Sequence, residues 1–226
     1  MLTTAPRATS VNKLLERREH TGMLSRLMEF VFNRGTALVI LILLSPFLLV
    51  VAVALLMSDG SPLTFGHYRV GKNGKLFKCL KFRTMVRDSA ARLEALLASS
   101  AEARAEWERD HKLTNDPRIT PIGNFLRRTS LDELPQLFNV LRGEMNLVGP
   151  RPVTVPELTK YGHVKRHYLS VMPGITGLWQ VSGRNDLTYD ERVELDRHYV
   201  EHKNFATDVK LLFMTVWVVL ARKGAK

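Results

Sequence analysis

Two adjacent carboxylates, Asp132 and Glu133, stand in the stretch "RRTSLDELPQL", with Arg127 and Arg128 just upstream. Further on, "GPRP" holds Arg151 between prolines that fix its backbone. A carboxylate pair, several guanidinium groups and a helix N-terminus together suit a phosphate ester or anhydride. A purely structural account of the same residues is available. Ser130 as N-cap with Glu133 three residues on reads as a capping box, and Asp132 in a first turn complements the helix dipole. The basic stretch "KCLKFRTM" offers Lys78, Lys81 and Arg83. As a strand, its alternation places Lys81 and Arg83 on one face and Phe82 on the other. It reads equally well as an edge protected by charge. Arg184 in "SGRN" suits either a phosphate-facing loop or a polar turn. His198 and His202 are spaced i, i+4 but lack the glutamate of H-E-x-x-H, so the histidines read as surface residues. There is no Walker A loop, no G-x-G-x-x-G and no G-x-S-x-G.

The elements that must carry these residues begin with an apolar run. Thr36 to Met57 is 22 residues without a charge, about 33 Å as a helix at about 1.5 Å per residue. Ser45 and Pro46 sit near its middle. One reading is a single span with a tolerated proline, the freed carbonyl being re-satisfied by Ser45 or by neighbours. The flanks point the other way. Lys13, Arg17, Arg18, Arg26 and Arg34 precede the run, and Arg69, Lys72, Lys75, Lys78, Lys81, Arg83 and Arg87 follow it. Positive residues stay cytoplasmic, and a straight span would strand one basic flank. A helix broken at Ser45-Pro46, entering and returning, satisfies both.

Leu24, Leu27, Met28, Val31 and Phe32 follow the spacing of an amphipathic helix, which suits a membrane interface or a packed core. The uncharged run Leu211–Ala221 is too short to span, and Trp217 suits a headgroup boundary. Between these lie a hairpin around "GKNGK", a helical region from Asp88 to about Lys112 in two pieces meeting near Ser99-Ser100, and a turn-rich "TNDPRITPIG". A helix follows over "FLRRTSLDELPQLFNVLRG", then a stiff proline turn, a Gly-studded loop "VMPGITGLWQVSGRND" and a helix over "TYDERVELDRHYVEHK".

The 226 residues carry a formal net charge of +11, which points to a polyanionic partner. A nucleic-acid binder would explain the charge but not a segment as apolar as Leu38–Met57. A basic membrane adaptor would explain both, but not a carboxylate pair framed by arginines. Cys79 is the single cysteine, which excludes an intramolecular disulfide and any multi-cysteine metal site. The first thirty residues hold no apolar h-region, so the apolar run is expected to stay in the mature protein.

"KFRTM", "RRTSLDELPQLFNVLRGEMNLVGPRP" and "PGITGLWQVSGR", in that order after an apolar run with a central Ser-Pro, resemble the bacterial polyprenyl-phosphate sugar-1-phosphate transferases. The resemblance covers about Arg34 to the C-terminus and is closest to short exopolysaccharide-priming members. It includes an insertion, about Asp88 to Arg118, similar to that of hexose-1-phosphate members. The elements along the chain already read as α with minor β, and the resemblance implies how they are arranged. Residues 1–35 would form a tail and amphipathic helix, 36–58 a re-entrant membrane helix, and 59–226 a small cytoplasmic catalytic domain with an interfacial C-terminal helix. It implies Asp132 as a nucleophile on the sugar-linked phosphate of a UDP-hexose, with UMP leaving and undecaprenyl phosphate accepting the phosphosugar. Glu133 would assist as base or metal ligand, and Asp132 and Glu133 would share Mg²⁺. Lys81, Arg83, Arg127, Arg151 and Arg184 would hold phosphates. Galactose or glucose is favoured as the sugar. The implied location is the cytoplasmic face of the bacterial inner membrane, among its lipids, with no nucleic-acid partner and a homodimer left open.

Overall fold

The computed structural model describes residues 8–110, 113–183 and 186–220. Helix α1 (Ala8–Asp59) contains the whole apolar run, and Pro46 lies inside it. It crosses the expected boundary at residue 35 without interruption. Helical structure also continues through Ser45 and Pro46, so the expected break is not a loss of helix there. The proline has no N–H for the carbonyl of Ile42. The Ser45 hydroxyl donates to that oxygen instead, at 2.8 Å.

Strands β1 (Thr64–Val70) and β2 (Leu76–Phe82) form the expected antiparallel hairpin around "GKNGK", with Phe65 opposite Lys81 and His67 opposite Cys79. Helices α2 (Ser89–Ser99) and α3 (Ala101–Asp110) are the two helical pieces of the insertion. Helix α4 (Pro121–Arg128) and α5 (Gln136–Arg142) flank a single 3₁₀ turn, Leu131–Glu133. The segment expected as one helix is therefore two, hinged at the carboxylates. Ser130, in the left-handed conformation, ends the first helix, and Pro135, helical itself but without an N–H to donate back, starts the second.

Strand β3 (Asn146–Val148) precedes α6 (Val155–Thr159) and α7 (Lys165–Ser170). It pairs in parallel with β4 (Gly174–Thr176), and α8 (Leu178–Ser182) follows at once. The Gly-studded loop expected there is thus a strand and a helical turn. Its glycines serve close approach. A Cβ on Gly174 would stand 2.1 Å from the Gly149 nitrogen, and one on Gly177 would stand 2.4 Å from the Gly149 oxygen. The "VGPRP" and "PGITG" segments cross backbone to backbone. Helices α9 (Tyr189–His202) and α10 (Phe205–Leu220) complete the chain. Thr188 and Glu191 form a full capping box at the start of α9.

The core is built around α1. Ala37 and Leu41 pack with Phe77 and Cys79 of β2, Leu137 and Val140 of α5, Tyr199 of α9 and Leu211 of α10. One end further along, Val51 and Leu55 pack with Phe82 and Leu126 of α4. Between Leu41 and Val51 no residue of α1 is buried. Its outer face leaves Leu38, Val39, Ile42, Leu43, Leu49, Val50 and Val53 exposed. The helix is long and apolar enough to cross a membrane. In the amphipathic stretch Leu27, Met28 and Val31 are exposed, while Phe32 meets Phe205 edge-on at 4.9 Å. The Leu24 side chain lies outside those described. On α10, Phe213, Val216 and Trp217 are exposed.

Candidate functional site

Asp132 and Glu133 ride on the 3₁₀ turn after Ser130, which takes the left-handed conformation at φ 57°. The Ser130 side chain makes no cap hydrogen bond. The capping-box reading therefore fails, and Glu133 turns away from the helix start. Its Oε1 receives Lys81 Nζ at 2.7 Å and Arg151 Nη2 at 3.0 Å. Lys81 Nζ also stands 3.5 Å from Asp132 Oδ2. Lys81, Arg151 and the carboxylate pair, far apart in sequence, are thus one cluster. Among the described residues, Asp132 Oδ1 and Glu133 Oε2 take no hydrogen bond or ion pair.

Each cation is placed by a different part of the fold. Lys81 is held by β2, and β2 is pinned by a fully buried polar side chain, Asn139 of α5. Asn139 accepts from the Leu80 N–H at 3.0 Å and donates to the Lys78 carbonyl at 2.7 Å, as a neighbouring strand would. It also donates to Glu144, which holds its amide in register. Sequence reading passed over Asn139, although an asparagine among the apolar residues of "LPQLFNVL" is the kind of residue that needs a buried partner. Arg151 is placed by the chain on its far side. Val70 N–H donates to the Val153 carbonyl at 2.8 Å, and Tyr168 donates its hydroxyl to Val70 O at 2.6 Å while accepting from Val153 N–H. Tyr168 packs beside Tyr161, whose hydroxyl donates to the buried Asp196.

Arg127 approaches Asp132 from α4, and its Nε donates to the Thr84 hydroxyl at 2.8 Å. Arg83 faces elsewhere. Its Nη2 donates to the carbonyls of Asp59 and Gly60 at 3.0 and 2.6 Å, and the Asp59 carboxylate lies 3.1 Å away. It ties the end of α1 to the hairpin. The structure does not bring it into the carboxylate cluster, because the strand ends at Phe82 and the alternation expected to align Lys81 with Arg83 ends with it. Arg184 lies outside the described residues.

The electrostatics separate the two carboxylates. Burial raises the Asp132 pKa and Glu133 adds to this, against the pull of Lys81 and Arg127. Burial also works against ionising Glu133, but Arg151 and Lys81 outweigh it and lower its pKa to about 2. Glu133 is a locked anion. Asp132 is buried, with the less stabilised charge and a free oxygen. The site can thus present a carboxylate oxygen to an electrophile among cations suited to phosphate.

The family model described as "Bacterial sugar transferase" matches residues 23–222. An undecaprenyl-phosphate galactose phosphotransferase of Salmonella typhimurium is 53% identical over 201 residues, 89% of this chain and 42% of that protein. The exopolysaccharide production protein ExoY of Sinorhizobium fredii is 47% identical over 194 residues, 86% of each chain. A UDP-glucose:undecaprenyl-phosphate glucose-1-phosphate transferase of Escherichia coli is 37% identical over 231 aligned positions, 96% of this chain and 42% of that protein. The chain spans less than half the length of the Salmonella and Escherichia proteins.

Proposed function

Because the chain belongs to the bacterial sugar transferase family, we propose that it transfers a hexose-1-phosphate from a UDP-sugar to undecaprenyl phosphate, releasing UMP. The step would open the synthesis of an exopolysaccharide or another glycoconjugate. Galactose or glucose is the sugar favoured, in keeping with the names of the relatives. The observation that carries this reading is the asymmetry of the carboxylate pair: Glu133 is held by two cations, while Asp132 keeps an unpartnered oxygen beside Lys81 and within the field of Arg127.

In the proposed reaction, an Asp132 oxygen attacks the sugar-linked phosphorus of the donor. The bond to the bridging oxygen breaks, and UMP leaves with the electron pair. An oxygen of undecaprenyl phosphate then attacks the same phosphorus, giving the lipid diphosphate sugar and returning the Asp132 carboxylate. Two displacements let a soluble donor and a membrane acceptor use one site in turn. Lys81, Arg127 and Arg151 supply positive charge to the phosphates, and Arg184 is proposed beside them. With a pKa near 2, Glu133 is a weak base; its charge suits orienting Lys81 and Arg151 or binding metal. The free oxygens of Asp132 and Glu133 fit Mg²⁺, which commonly takes one or two carboxylates together with substrate phosphates. Bound there, it would neutralise diphosphate charge.

We also propose that α1 is re-entrant and that the domain lies on the cytoplasmic face of the inner membrane. Both ends of the apolar run are fastened to the same domain. Near its start Arg34 donates to Leu141 O at 3.0 Å and Asn33 accepts from Leu147 N–H at 2.7 Å; at its end Asp59 meets Arg83. A straight crossing would separate these ends by a bilayer. Around Ser45 and Pro46 the run is exposed, and packing on the domain resumes at Leu48. The exposed faces of the amphipathic stretch and of α10, with Trp217, suit the interface.

The test uses donor alone. Wild-type protein with Mg²⁺ and a UDP-hexose is expected to release UMP up to about one equivalent, the stoichiometry of a covalent step, and to retain sugar phosphate on the peptide containing Asp132 at short times. Asp132→Asn should keep fold and membrane binding but lose roughly 10³-fold or more in turnover. UMP release that requires the acceptor, with no adduct, would replace this mechanism by direct transfer.

A further inference from the structure

We propose that Thr84 is a positioning residue for Arg127, fixing its guanidinium so that both terminal nitrogens are presented to the donor diphosphate. This rests on the phosphosugar-transfer reading above. Arg127 Nε donates to Thr84 Oγ1 at 2.8 Å, and among the described residues its terminal nitrogens have no hydrogen-bond acceptor. A guanidinium held by Nε keeps its outer edge free for a bidentate grip on phosphate.

Thr84 is itself buried, and its backbone is fixed on the α4 side. Its carbonyl accepts from Thr120 N–H at 3.0 Å, and Thr120 is the N-cap of α4, accepting from Gly123 N–H. Gly123 then lies against the Thr84 carbonyl, where a Cβ would stand 2.1 Å from the oxygen. One turn later on the same face comes Arg127. The missing side chain at Gly123 is what lets α4 lie close enough for Arg127 to reach the Thr84 hydroxyl. The neighbouring backbone is held from the other side as well. Val86 N–H donates to Arg118 O, and Met85 bridges Ile119. Arg118 is buried, paired with Asp116, and lies over Trp107 of α3 at 5.2 Å. The segment carrying Thr84 is therefore clamped between α4 and the base of the α2–α3 insertion, and Thr84 takes no part in the chemistry itself.

The experiment measures binding of UDP with Mg²⁺ to the full chain in detergent or nanodiscs. Thr84→Val keeps the side-chain shape and removes the acceptor; it is expected to weaken UDP by about tenfold, the scale of one hydrogen bond to a charged group. Thr84→Ser should restore affinity. Arg127→Gln should weaken UDP at least as much, and Thr84→Val combined with Arg127→Gln should bind no worse than Arg127→Gln alone, because the threonine acts only through the arginine. Wild-type affinity in Thr84→Val overturns the proposal. So do multiplied losses in the double variant, or a fall in thermal transition that Thr84→Ser shares. A wild type that binds no UDP overturns the functional reading and this one with it, whereas the other failures leave the functional reading standing.

Discussion

Lys81 touches both carboxylates, yet its effect on each is different. Glu133 has Arg151 as a second cation, whereas Asp132 depends on Lys81 and the more distant Arg127. The Asp132 pKa is already raised by burial, and in the proposed mechanism the ionised form is the one that attacks. Activity should therefore rise with pH as Asp132 loses its proton. Lys81→Met removes the main charge holding that proton affinity down, so the acid limb of kcat/KM is expected to move to higher pH. A pH–rate profile on the variant checks this, and an unmoved limb would mean that Asp132 is not the titrating group. Glu133→Gln should impair turnover too, and its effect should not multiply with that of Asp132→Asn, since residues acting as a unit fail together.

At the scale of elements, α5 links the long apolar helix α1 to the carboxylate cluster. Its outer end closes on Gly143, which takes φ 75° and caps the helix through bonds to Asn139 and Val140 carbonyls. Arg34 of α1 reaches the same corner, bonding Leu141 O and lying over Phe30 at 3.7 Å. A Cβ on Gly143 would stand 2.2 Å from Arg34 Nη2. Gly143→Ala therefore meets two penalties, left-handed backbone strain and displacement of Arg34. The backbone part alone is about 1 kcal/mol, which corresponds to a fall of about 2–4 °C in the thermal transition of a chain this size. An unchanged transition would show that the corner tolerates a side chain and that α1 is not held there.

For the whole molecule, the expectation is that residues before Arg34 and after Ser61 share one side of the membrane. A Cys79→Ser background allows single-cysteine labelling, because Cys79 is the sole cysteine. Cysteines placed at Gly22 and at Lys75 should both be labelled from the cytoplasm, and periplasmic labelling at Gly22 would sink the re-entrant topology. Pro46→Leu restores the missing N–H donor and favours a continuous span. If that variant keeps wild-type topology, the anchoring of both ends by Arg34, Asn33 and Arg83 outweighs the proline.

The residue types at Asp132, Glu133, Arg127 and Arg151 suited phosphate chemistry, but a capping box accounted for the carboxylates and a charged edge for Lys81 equally well, and it was the family resemblance that joined them into one expected site. The apolar run, the hairpin, the two helical pieces of the insertion and α9 were also legible, since each has a local signal in periodicity or turn residues. The pairing of β3 with β4 was not. These strands are three residues each, too short to show a period, and their partner is fixed by glycines that matter only once two distant segments cross. Nor could local pattern tell a capping box at Ser130–Glu133 from a carboxylate pair held by cations. That choice was made by Lys81 and Arg151, which arrive from 52 and 18 residues away and draw Glu133 off the helix end, since two charge-assisted bonds outweigh one backbone cap.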